Sequence, residues 1–319
     1  MTRGFSARIS LALVTLSPAV FLGQLATSPA GDAWVLIGEV AFYAAYLAFV
    51  AVFVPLGLVL GSRGRIGWLI VAATLPVAIG ADRFAAIVTI GRRGADPFGV
   101  VEALVSAAWL TFTITVAMKA RHAPPGPTLD LTPPVFDGSF TVVQGGNDRL
   151  LNHHHQSERQ RFAVDLVRDP ASRTRISRVV SPLAGTVVAA VDGLDDAGVA
   201  AADRRAHPFG NHVIIREPQS GADVMLAHLK RGTVTVSPGE PVAAGRLLGE
   251  IGNSGNSTEP HLHVHVECAG AGLPFTIGGR FLVRNAALRG TRATQRRIET
   301  TAYASVRDAG SRDSEGVAQ

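Results

Sequence analysis

Residues 249–267 read GEIGNSGNSTEPHLHVHVE. Within this stretch His261, His263 and His265 occupy alternate positions of an apolar run. An extended chain sends successive side chains to opposite faces, so the three imidazoles line one face of one strand. The preceding Gly252-Asn253-Ser254-Gly255-Asn256-Ser257 is rich in turn formers and brings the strand in from a tight loop. Neutral imidazole is a usual ligand of zinc and a proton carrier near neutral pH. Three in register after such a turn mark a metal site or a proton-transfer site, with a solvated histidine face as the plain alternative.

The same alternation extends through the surrounding chain. Short runs such as 140–144, 162–167, 185–191, 211–216, 223–229 and 262–266 are separated by Gly, Asn and Asp. Runs of this length and spacing predict an antiparallel all-β domain over residues 135–289. On its N-terminal side, residues 122–134 contain Pro124, Pro125, Pro127, Pro133 and Pro134, which predict a stiff extended linker. On its C-terminal side, residues 290–319 are rich in Arg, Thr, Ser and Asp, which predicts a disordered tail.

Residues 1–121 differ sharply in composition and predict an α-helical transmembrane domain. Stretches 33–60 and 98–118 are apolar and long enough to cross a bilayer. Residues 9–26, preceded by Arg3 and Arg8, read as a signal peptide or a first span. Residues 66–81 are apolar but short. If they cross, there are four spans and the β domain is cytoplasmic. If they dip in and return, there are three spans and the β domain lies outside. The three-span arrangement leaves Arg3, Arg8, Arg63, Arg65, Arg83, Arg92 and Arg93 inside, against Lys119 and Arg121 outside. The positive-inside rule prefers that arrangement. The chain is thus expected at the cell membrane as a multi-pass protein, with membrane lipid as a partner and the β domain extracytoplasmic.

The net charge of +5 sits largely at membrane flanks and in the tail, and no nucleic-acid-binding motif is present, so nucleic acid is not expected as a partner. Cys268 is the only cysteine. It permits no internal disulfide and no cysteine-based zinc site, so His, Asp or Glu must hold any metal. Nine of the 10 histidines follow position 150. His228 sits in the apolar run Met225-Leu226-Ala227-His228-Leu229, and Asp165 sits in Phe162-Ala163-Val164-Asp165-Leu166. A carboxylate in such a run is rarely buried unless paired or ligating. Two histidines, one carboxylate and an open position make a catalytic zinc centre. The metal lowers the pKa of a bound water and polarises a carbonyl, while a neighbouring histidine moves the proton. Spacing alone does not name the substrate.

Residues 252–263, GNSGNSTEPHLH, resemble the SGxSTGPHLH signature of the lysostaphin-type (LytM-like) zinc endopeptidases. Leu226-Ala227-His228-Leu229 resembles the YxHL strand of that family, and residues 181–187, SPLAGTV, resemble its PxxGxV strand. Residues 210–215, GNHVII, resemble its GNxVxI strand, and residues 237–249 resemble its VxxGxxVxxG segment. The motifs follow the family's order over residues 142–275. The resemblance implies an antiparallel sheet with an open groove, Zn2+ as cofactor, and hydrolysis of peptide bonds in cell-wall peptidoglycan. It implies Asp165 and His263 as metal ligands. It implies His228 and His261 as the catalytic pair that orients water and stabilises the oxyanion. His265 falls outside the family's essential set and is expected in the groove; Cys268 is expected as a small buried apolar residue.

One position departs from the family. Its first ligand usually stands four residues before the aspartate, where this chain has Arg161, which cannot ligate a cation. Relatives that read NxH, a short loop and then QRYAxD or QRFAxD align their histidine with His154 of Asn152-His153-His154-His155. Alternation does not carry across the polar turn 156–160, so His153 and His155 stay open beside His154. Should the site be degenerate, the resemblance implies instead an inactive domain that binds peptidoglycan or regulates another cell-wall hydrolase.

Overall fold

The computed structural model describes residues 33–54, 97–135, 138–170, 177–196 and 206–289. The readings of residues 9–26, 66–81 and 290–319 fall outside the described residues, and with them the choice between three and four spans. The chain divides into two compact units, Met1–Lys119 and Ala120–Gln319.

In the first unit two α-helices are described, α1 (Ala33–Phe53) and α2 (Pro97–Arg121). Among the described residues, Val35–Phe53 and Pro97–Arg121 are the helices long and apolar enough to cross a membrane. At 1.5 Å per residue, about 20 residues match a hydrocarbon core of about 30 Å. The two helices pack through aromatic rings, with Trp109 centred 5.7 Å from Phe42 and 5.6 Å from Phe49. Gly38 lets the backbones close in, since a Cβ there would stand 3.0 Å from the Gly99 carbonyl oxygen. Phe98, Leu104, Val105 and Met118 remain exposed on α2, an apolar surface of the kind that avoids water.

The second unit is built from short strands. They are β1 (Leu129–Leu131), β2 (Ser139–Gln144), β3 (Val164–Arg168), β4 (Arg178–Val180), β5 (Gly185–Val191) and β6 (Asn211–Arg216). There follow β7 (Asp223–Leu229), β8 (Pro241–Val242), β9 (Leu247–Glu250), β10 (Leu262–Cys268), β11 (Ala271–Gly272), β12 (Phe275–Ile277) and β13 (Ala287–Arg289). The main sheet runs β13-β2-β3-β10-β7-β6-β5-β8, with β11 paired to β10. Every pairing in it is antiparallel, as the alternating runs predict. Two small ribbons lie off this sheet, β4 with β9 antiparallel and β1 with β12 parallel. β1 comes from inside the proline-rich stretch 122–134, and Leu131 is a buried core residue, so the fold of this unit begins within that stretch.

The register sorts the central strands into two faces. Val164, Val264, Leu226 and Val213 stand directly across from one another on β3, β10, β7 and β6. All four are in the hydrophobic core, with Leu166 and Leu262 paired beside them. Burying each such side chain stabilises the fold by roughly 1.5–3 kcal/mol. One residue along, Asp165, His263, Ala227 and His212 form the facing row, which the period of two places on the opposite side of the sheet. The β6–β7 ladder slips at one point: Asn211 pairs with Leu229 and His212 with Ala227, leaving His228 without a counterpart. His228 has φ +63, the left-handed conformation that a bulge residue adopts and that L side chains disfavour.

Candidate metal centre

Asp165 is the hub. It is buried on β3, and its two carboxylate oxygens face two imidazoles, Oδ1 at 2.9 Å from His263 Nδ1 and Oδ2 at 2.9 Å from His154 Nε2. His263 arrives by strand pairing. His154 arrives on a 3-10 turn, His153–Gln156, that Asn152 caps. The Asn152 side-chain oxygen accepts the His154 N–H at 3.2 Å, and its amide donates to the Gly146 and Ala163 carbonyls at 3.2 and 3.0 Å. Asn152 is fully buried, so these bonds pin the turn to the entry of β3. From the other side, Gln144 Oε1 accepts from the His153 N–H at 3.2 Å and from Arg284 at 2.9 Å, while Arg284 Nε donates to the Leu151 carbonyl at 3.1 Å.

The other two histidines of the run are placed differently. His155 Nε2 lies 3.3 Å from Asn147 Oδ1. His153 is exposed and its ring packs 3.9 Å from that of His154. Ligand atoms of His153, His154 and Asp165 all fall within 4.8 Å of one another, whereas the hydrogen bonds join His154, Asp165 and His263. The two groupings share His154 and Asp165. They differ in that His153 faces solvent and His263 is buried in direct contact with Asp165.

Burial by itself would raise the Asp165 pKa, but hydrogen bonds and charge from His154 and His263 hold it well below the usual carboxylate range. Burial pushes His263 well below its ordinary value, more than offsetting the pull of Asp165. The carboxylate is therefore ionised and the imidazole neutral, with Nδ1–H donating to Asp165; a cation that displaces this proton would meet a lone pair from each. Two imidazole nitrogens and one carboxylate, with His263 and Asp165 buried and His154 half-buried, form a donor set that fits zinc.

Two more histidines border this set. His261 Nε2 lies 3.7 Å from Asp165 Oδ1, and its Nδ1 lies 2.8 Å from the Glu259 carbonyl and 3.1 Å from Ser257 Oγ. His228 Nδ1 lies 2.8 Å from the Ser254 carbonyl, and the His228 and His261 rings are 4.6 Å apart. A carbonyl oxygen only accepts, so each Nδ1 donates its proton and each Nε2 keeps its lone pair. Burial, with the neighbouring His261, lowers the His228 pKa to about 4, so the ring is neutral.

The bulge that aims His228 is held by its surroundings. The His228 N–H donates to the Phe209 carbonyl and its own carbonyl accepts from the Gly252 N–H, both at 3.0 Å. Gly252 admits no side chain, since a Cβ would stand 2.4 Å from the Lys230 backbone. Ser254 Oγ accepts from the Asn211 N–H at 2.9 Å and donates to the Leu229 carbonyl at 2.8 Å.

Residues 172–273 match the model of Peptidase family M23. The β unit carries a peptidase family M23 domain. The matched segment contains His228, His261 and His263; His154 and Asp165 precede it and join the site because β3 pairs with β10. Among solved structures, a zinc containing peptidase from Vibrio cholerae is similar at 21% identity, over 35% of this chain and 28% of that one, with a TM-score of 0.26. The catalytic domain of the antimicrobial peptidase lysostaphin from Staphylococcus simulans is similar at 23% identity, over 35% of this chain and 73% of that one, with a TM-score of 0.26. The SpoIIQ–SpoIIIAH pore forming complex gives 18% identity over 46% of this chain and 89% of that one, with a TM-score of 0.33. No curated protein matches the chain.

Elsewhere in the M23 domain two expectations need correction. His265 is not a groove residue: it is 2% exposed, with Nδ1 2.9 Å from His263 Nε2 and the Phe209 ring 5.6 Å away. The strand alternation that puts it on the histidine face also puts it beneath Phe209. Cys268 is half-buried rather than buried, because β10 ends there and leaves the thiol 3.9 Å from the Ser220 carbonyl. Arg161 is exposed, its guanidinium 5.8 Å from the Phe162 ring. His207 is exposed, and His212 is half-buried with Nδ1 2.7 Å from the Gly210 carbonyl. Sequence reasoning misses Phe209, Gln144 and Arg284, which cover or brace the site from loops and strand ends that no motif marks.

Proposed function

We propose that this chain is a membrane-anchored, zinc-dependent endopeptidase that hydrolyses peptide bonds of cell-wall peptidoglycan. The reading rests on the meeting of His154 and His263 at the two oxygens of Asp165, beside two histidines whose Nδ1 atoms are tied to carbonyls. His154, Asp165 and His263 would hold the ion and leave a fourth position open. Zinc bound there supplies Lewis acidity, lowering the pKa of water and polarising a carbonyl. His261 accepts the proton of the attacking water at Nε2 and returns it to the leaving amine, a role worth about 10²–10⁴ in rate. His228, whose ring lies 4.6 Å from that of His261, presents its Nε2 lone pair on the same side and helps orient the attacking water.

In this reading residues 1–121 anchor the chain, the start of the stretch 122–134 leads out of the membrane, and the β domain that begins at β1 and runs to residue 289 faces away from the cytoplasm, followed by the tail 290–319. The charge distribution of the three-span arrangement and the location of the substrate both support that side. The full-length chain, purified in detergent, is expected to hold about one zinc per chain. It is expected to release peptides from purified cell wall, to stop with a chelator and to resume with zinc. Zinc binding without any release would favour the inactive, wall-binding alternative. Protease added to intact cells is expected to remove the domain; protection until lysis contradicts the orientation.

A further inference from the structure

His263 is engaged at both ring nitrogens. Nδ1 lies 2.9 Å from Asp165 Oδ1, and Nε2 lies 2.9 Å from His265 Nδ1. A neutral imidazole carries one N–H. Without a cation Nδ1 carries that proton and donates it to Asp165 Oδ1. For Nδ1 to offer its lone pair to a cation instead, the proton must sit on Nε2 and needs an acceptor there. His263 is 1% exposed, so bulk water is not at hand. His265 Nδ1 is in place, and its own proton then lies on Nε2.

Strand pairing and ring packing set the position of His265. It follows His263 by two residues on the same strand and so shares its face; Met225 is its partner across β7. The Phe209 ring packs on both imidazoles, 6.1 Å from His263 and 5.6 Å from His265. The contrast with His261 is informative. There a carbonyl oxygen takes the Nδ1 proton and leaves Nε2 as the acceptor. Two residues on, a ring nitrogen in place of a carbonyl permits the opposite tautomer.

We propose that His265 is a positioning residue that accepts the Nε2 proton of His263 when a cation takes the Nδ1 position, and so frees the Nδ1 lone pair for the metal beside Asp165. The proposal rests on the zinc reading above. Outer partners of this kind typically set metal affinity by 10–100-fold.

The test measures zinc affinity of the full-length chain by competition with a chelator, for wild type, His265→Leu and His265→Asn. Unfolding of each metal-free protein is recorded alongside. His265→Leu removes the acceptor and is expected to weaken zinc by about 10–100-fold. His265→Asn places an amide oxygen near the Nδ1 position and is expected to return most of that affinity. Wild-type affinity in His265→Leu, or equal weakening in both variants, overturns the proposal and leaves the zinc reading intact. Absence of zinc from the wild type removes that reading and this proposal with it. If His265→Leu fails to fold, nitrogen-15 histidine spectra of the zinc-loaded wild type decide: a proton on His263 Nε2 supports the proposal, and one on Nδ1 overturns it.

Discussion

β10 and β7 lie side by side and both deliver histidines to the same site, by different means. In β10 the alternation is regular: Leu262, Val264 and Val266 enter the core, and His263 and His265 take the other face. In β7 regular alternation would send His228 into the core with Val224 and Leu226. The bulge at φ +63 instead turns it out, 4.6 Å from the His261 ring, and Leu229 takes the next core position. Alternation places a group at no backbone cost but only at fixed spacing. A bulge places one off that lattice, at about 1–2 kcal/mol for a left-handed L residue, and needs a loop to hold it. Gly252, Ser254 and Asn211 supply that hold. The contact of His263 with Asp165 thus lies on the regular strand, and the histidine proposed to orient the attacking water lies on the adjustable one.

The largest effect is expected from the regular arm. Asp165→Ala removes the oxygens that meet both His154 and His263, so zinc content should fall to background and wall hydrolysis should vanish; retained zinc would move the metal position elsewhere. Next comes the bulge arm. Gly252→Ala drives a Cβ into the Lys230 backbone, 2.4 Å away, and should displace His228 while leaving His154, Asp165 and His263 untouched. Zinc is expected to stay, hydrolysis to fall by about 10²-fold or more, and stability in denaturant to drop by about 1–3 kcal/mol. Loss of zinc here would mean that the two arms are not separable. The smallest effect compares backbones directly. His228→Gly should be more stable than His228→Ala by about 1 kcal/mol, whereas Val264→Gly should be less stable than Val264→Ala by about 0.5–1 kcal/mol. The same order at both positions, read from chemical unfolding, would remove the bulge from the account.

Much of the regular arm is legible in the sequence, because period-two alternation is local. The antiparallel sheet, the shared face of His263 and His265 and the apolar face of β10 follow from side-chain order alone. The pairing of Asp165 with His263 is a long-range register, which the run around Asp165 hints at but does not fix. The bulge is not legible, since Ala227-His228-Leu229 reads as ordinary strand and the residues that force it lie in other loops. The sequence singles out His154 by the NxH resemblance alone; the Asn152 cap that carries it to Asp165 is not legible, because its three partners are scattered over 146–163. His265 was visible as a third histidine in register, but its burial depends on Phe209, which comes from a turn before β6.

On β10 and the turn before it, His263 is proposed to hold the metal and His261 to carry the proton, and one paired measurement separates the two roles. His261→Ala and His263→Ala full-length chains are purified alike, and zinc content and peptide release from cell wall are measured on the same samples. His261→Ala is expected to keep its zinc and to lose about 10²–10⁴-fold in hydrolysis, while His263→Ala loses both. Zinc lost from His261→Ala and kept in His263→Ala would contradict the account.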